Sequence, residues 1–153
     1  MLKKLMASLL LFIIILSTST VGFAAKANAS KYQVIIPEED LSATQKKVVL
    51  ISGKAPQGTS ITIDVYGAID LTGKKYSLIK LPEDDAYTLI SSKTIEAGSL
   101  GFGEEVELIL GVNKIIVKFN VEGAPVIEKI LYYFEKEQVE RSLRNTHITP
   151  IRK

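Results

Sequence analysis

Apolar residues fall at every second position in two stretches of the chain. From Ser60 to Tyr66, Ile61, Ile63 and Val65 share one side while Thr62, Asp64 and Tyr66 share the other. From Glu105 onward, Val106, Leu108 and Leu110 point inward, Gly111-Val112-Asn113 turns the chain, and Ile115, Val117, Phe119 and Val121 line the next inner face. A period of two is the mark of a half-buried strand. Shorter β-type runs surround these two: Tyr32–Ile36, Lys47–Ile51, Tyr76–Leu81, Tyr87–Ile95 and Val126–Phe134. Between them lie turn signals at Ser52–Gly58, Gly67 and Gly73, Pro82 with Glu83-Asp84-Asp85, the glycines 98, 101 and 103, and Gly123-Ala124-Pro125. The pattern predicts about seven strands with turns every ~8–12 residues. A sheet with one apolar face needs a second sheet over it, so the fold class is an all-β, antiparallel β-sandwich. The spacing of Ile127, Ile130, Leu131 and Phe134 also permits a helix over 125–144. The β-favouring Tyr132-Tyr133-Phe134 run selects the strand.

The ends read differently. Lys3 and Lys4, an apolar run from Leu5 to Leu16 broken only by Ser8, and a small-residue stretch form the layout of a secretory signal peptide. Cleavage fits after Ala24 or after Ala29. The apolar run is shorter than the roughly 20 residues a membrane-spanning helix needs, which disfavours an uncleaved anchor. The predicted organisation is a signal peptide over 1–29, a linker or short N-terminal strand over 30–44, one sandwich over 45–135 and a polar C-terminal tail over 136–153. The expected location is secreted, extracellular or cell-wall associated, with membrane contact only through the transient leader.

Two stretches carry a family likeness. Ile51-Ser52-Gly53-Lys54-Ala55-Pro56-Gln57-Gly58-Thr59-Ser60-Ile61-Thr62-Ile63 resembles the first hairpin of bacterial immunoglobulin-like (Big-type) domains. Val106 to Val117, with Leu110-Gly111-Val112-Asn113-Lys114-Ile115, resembles that family's later signature, where a tight turn carries the chain between sheets. The turn is expected to use Gly111 and Asn113 for positive φ. The likeness covers roughly residues 46–135. It implies an immunoglobulin-like sandwich and a bacterial surface or secreted module for adhesion, spacing or carbohydrate association, and it implies no catalytic residues.

Composition narrows the chemistry. The chain has 153 residues, 19 basic against 17 acidic groups, one His and no Cys. Without Cys there is no disulfide, thiolate zinc site or cysteine nucleophile. Cleavage after Ala29 removes Lys3, Lys4 and Lys26, so the mature chain carries a net charge of about −1 and no global field for nucleic acid. The lone His147 sits in the polar tail, and no cofactor is expected. Ser77-Leu78-Ile79-Lys80 has the Ser-x-x-Lys spacing of a serine nucleophile, but in a strand those two side chains point to opposite faces. Gly67 to Lys75 has one residue too many for a phosphate loop and lacks its Ser or Thr. Asp84 and Asp85 are the first residues to consider for Ca²⁺, although their spacing matches no recognised calcium loop. Tyr66, Tyr132 and Tyr133 are candidates for an aromatic contact surface, with ordinary packing as the simpler role. The expected function is a non-catalytic envelope module that binds a cell-wall polymer or an exported protein. The alternative is a small secreted inhibitor or accessory subunit that docks on an exported partner.

Overall fold

Strict alternation builds the middle of the molecule first. The computed structural model describes residues 28–70 and 75–136. Residues 1–27 of the expected leader, His147 and nearly all of the tail lie outside the described residues. Among the described residues eight strands run in chain order: β1 Gln33–Ile36, β2 Leu41–Thr44, β3 Val48–Lys54, β4 Ser60–Gly67, β5 Thr88–Glu96, β6 Phe102–Glu107, β7 Gly111–Phe119 and β8 Val126–Tyr133. They form two sheets, ordered β1-β3-β6 and β2-β8-β7-β4-β5. In the larger sheet β4 and β7 are antiparallel, with Ile61 opposite Phe119, Ile63 opposite Val117 and Val65 opposite Ile115. All six are buried, and Ile51, Phe102 and Val106 of the smaller sheet join them in one core. Each such aliphatic side chain contributes about 1.5–3 kcal/mol by leaving water. Phe119 closes one end of this core, its ring 5.2 Å from Tyr32 and 5.7 Å from Phe102.

The structure corrects the expected pattern in several places. The strand expected at Tyr76–Leu81 is a turn. The Ser77 hydroxyl accepts the amides of Ile79 and Lys80, and the Ser77 amide donates to the Lys80 carbonyl at 2.9 Å. A serine side chain that satisfies nearby amides competes with strand pairing. The sandwich is not wholly antiparallel, because β2 runs parallel to β8. The chain leaves β1 at Pro37, after a cis peptide bond, and crosses to the other sheet. Residues 33–44 thus hold two strands, one in each sheet. Ile51–Ile63 is no hairpin, since β3 and β4 belong to different sheets and Gly58 (φ 81°) lies in the corner between them. Val126–Tyr133 is a strand, as the aromatic run indicated. Leu110 and Val121, expected inward, are exposed where the alternation runs out into turns.

The Gly111-Val112-Asn113 segment does not turn the chain but opens β7. Only Gly111 has positive φ there (94°). Asn113 works through its side chain, fully buried at the end of the core. Its Oδ1 accepts the Ile109 amide at 2.9 Å, and its Nδ2 donates to the carbonyls of Ile109 (2.8 Å) and Gly111 (3.0 Å). One amide side chain satisfies three main-chain groups of the corner between β6 and β7. Asn113→Ala strands those groups and is expected to lower unfolding free energy by about 1–3 kcal/mol, read from a urea melt with unchanged slope.

Candidate functional site

The outer face of the larger sheet carries the even-numbered residues of β7. Thr62 lies opposite Lys118, Asp64 opposite Ile116 and Tyr66 opposite Lys114. Lys114 continues to Ile130, and Val112 to Tyr132, on β8. Tyr66 and Tyr132, both half-buried, therefore face outward from one sheet. The Tyr132 ring stacks on Phe134 with centroids 6.4 Å apart. Tyr133 points the other way. It is buried in the core, and it lines an opening of about 580 Å³ beside Leu108, Ile90 and the Lys47–Glu107 ion pair. Burial first, then the Glu135 charge, pushes its hydroxyl above the usual tyrosine value.

Sequence reasoning missed Lys114. It is a strand lysine with a side chain only 11% exposed, on a face where charge is expected in water. A buried ammonium needs partners, and the segment between β4 and β5 supplies them. Asp84, in a short 3-10 turn (Asp84–Ala86), meets Lys114 Nζ at 2.5 Å, and the Tyr87 ring covers the same ammonium at 4.1 Å. The Lys114 hydrogen bond and charge hold the Asp84 carboxyl below the usual aspartate value. Burial first, then the charges of Glu128 and Asp84, raises Tyr87, whose buried hydroxyl has no hydrogen-bond partner among the described residues. The signal was there: Asn113-Lys114 interrupts the apolar content of an otherwise oily strand.

Asp85 does not join Asp84 at this contact. It faces a cavity of about 530 Å³ formed by Lys75, Tyr76, Lys80, Leu81 and Glu83. The Lys75 ammonium lies 4.7 Å from the Tyr76 ring centroid, and the Lys75 amide donates to Asp70. Among the described residues no three acidic, His or Cys side chains gather as metal ligands. Asp84 instead has a lysine ammonium where a cation would sit. Tyr66, Tyr132 and Asp84 thus border one face, whereas Tyr133 and Asp85 line two separate openings.

Asp64 is a second carboxylate engaged on this face. Lys118 Nζ reaches it at 2.8 Å and the Ser92 hydroxyl at 2.6 Å. Burial, the largest single influence, pushes this carboxyl up. The Lys118 and Ser92 hydrogen bonds and the Lys118 charge outweigh it, so the native value lies below the ordinary 3.8. The native state therefore prefers the ionised form. That stability is complete above 3.8 and is lost as pH falls through the lowered native value. Acid titration of folding should show a steeper loss below that point in the parent chain than in Asp64→Asn, read by circular dichroism.

Among the described residues no helix is long and apolar enough to cross a membrane. No family model matches the chain, and no curated protein matches it at a significant level.

Proposed function

We propose that this chain is a non-catalytic binding or structural module of the bacterial cell envelope, exported by its leader and built on an immunoglobulin-like sandwich. The strand order supports the immunoglobulin-like part. β1 and β2 lie in different sheets, and the Val106–Val117 stretch runs from the smaller sheet (β6) to the larger (β7), which is in keeping with such a sandwich although no tight turn at Gly111–Asn113 makes the passage. The binding part rests on one observation above all. The segment 75–87 is held against the outer sheet face by the Lys114–Asp84 pair and the Tyr87 ring, and it presents a cavity that combines Tyr76 with two lysines and two acids. An aromatic ring flanked by charge suits a sugar polymer bearing ionised groups. Three groups that could do chemistry are already engaged: Ser77 in its own turn, Asp64 with Lys118 and Ser92, Asp84 with Lys114.

Retention of the secreted chain on purified wall, competed by soluble wall polysaccharide, tests this reading. Tyr76→Ala is expected to weaken retention by about fivefold, the equivalent of roughly 1 kcal/mol for one aromatic contact. The chain recovered from the medium should begin at Ala25 or Ser30 by mass. An unprocessed chain confined to the membrane fraction would overturn the export part, and uncompeted passage through the wall fraction would overturn the binding part.

A further inference from the structure

A strand offers its main-chain groups alternately to its two neighbours. In β3 the Leu108 amide donates to the Lys47 carbonyl at 2.8 Å, and the register runs from Val48 opposite Glu107 to Gly53 opposite Phe102. The odd-numbered residues of β3 therefore bond to β6. Val48, Leu50, Ser52 and Lys54 turn their N–H and C=O groups to the other side. There β1 meets Lys54 through Gln33 and Ser52 through Ile36, and then the chain leaves through Pro37 for the other sheet. Among the described residues no strand pairs the edge at Val48 and Leu50, which are 47% and 43% exposed. Beside this edge an open cavity of about 380 Å³ is lined by Ile36, Pro37, Val49 and Leu131, with Lys46 and Glu105 also on its wall.

The opposite flank is closed. There β5 and β6 are the outer strands of their sheets, and Lys93 bridges them, with Nζ on Glu104 at 2.5 Å and on the Glu105 carbonyl at 3.1 Å. A lysine laid over an exposed strand is a known guard against edge pairing. The Val48–Leu50 edge carries apolar side chains instead.

We propose that this edge accepts an extended strand from a partner polypeptide, laid antiparallel to β3 in line with β1. Donor and acceptor groups repeated two residues apart match another extended main chain, which a sugar polymer cannot supply. The incoming residues opposite Val48 and Leu50 exchange main-chain hydrogen bonds with them. The residue opposite Val49 points into the cavity towards Leu131 and is apolar. The partner is thus a peptide segment of alternating apolar and polar residues without proline at the paired positions. This deepens the binding-module reading, on which it rests for the existence of a partner.

The probe is a synthetic peptide, Lys-Thr-Val-Thr-Val-Thr-Lys, added to the full secreted chain and followed by amide hydrogen exchange. In the free chain the Val48 and Leu50 amides exchange fast while Val49 and Ile51 are protected, and the peptide slows Val48 and Leu50 by about tenfold. Leu50→Pro removes an N–H that faces the slot and leaves the β3–β6 bonds in place. It is expected to weaken peptide binding by about tenfold, one main-chain hydrogen bond. Should that variant not fold, N-methylation of the peptide at its paired residues is expected to give the same loss with the parent chain. Protection of Val48 and Leu50 before peptide is added, protection of Leu41 and Ala43 on β2 instead, or no slowing at all would overturn the proposal. Because Tyr76→Ala reads the wall contact and Leu50→Pro the strand contact, loss of one with the other intact assigns the failure.

Discussion

Three cross-strand pairs, Ile61 with Phe119, Ile63 with Val117 and Val65 with Ile115, make an apolar surface that cannot remain in water. Everything else in the domain follows from covering it. Ile51, Phe102 and Val106 of the smaller sheet provide that cover, and the chain must change sheets repeatedly to bring them there. Each change needs a corner whose main-chain groups are satisfied. Asn113 does this between β6 and β7 with one buried amide. Without cysteines, packing and these few polar anchors hold the fold together.

Buried lysines position the segments that the core does not reach. Lys129 faces inward on β8 with a side chain only 4% exposed, and its ammonium meets Asp40 at 2.7 Å and the Glu38 carbonyl at 2.9 Å. It tethers the crossing between β1 and β2. Lys114 does the same on the outer face, where Asp84 and Tyr87 bring the segment 75–87 against the sheet. The two lysines have opposite consequences for the surface. Lys114 helps to form the polar cavity around Tyr76. The crossing held by Lys129 draws the chain away from β3 and leaves Val48 and Leu50 exposed.

The elements with strict alternation were legible before any coordinates, because burial of one sheet face imposes a period of two. That holds for β4 and β7, and for the choice of strand over helix at Val126–Tyr133. β2 was not legible: the four residues Leu41-Ser42-Ala43-Thr44 are a short run whose apolar members, Leu41 and Ala43, are the exposed ones, and its place beside β8 comes from the crossing at Pro37. Tyr76–Leu81 reads as a strand by composition but forms a turn, since the Ser77 hydroxyl captures the local amides. Among the candidate contact residues, Tyr66 and Tyr132 faced outward as alternation allowed. Tyr133, one residue on, had to face inward for the same reason.

The amino-acid sequence alone determined that this chain is all-β, that its core lies along Ile61–Val65 and Ile115–Phe119, and that the core needs two sheets. These follow from local periodicity and the free energy of apolar burial. Only the tertiary structure decided which strands are neighbours, that β2 runs parallel to β8, that Lys114 lies under Asp84 and Tyr87, and that among the described residues no strand pairs the Val48–Leu50 side of β3 that faces away from β6. Those outcomes depend on pairings between residues distant in the chain, which no local pattern encodes.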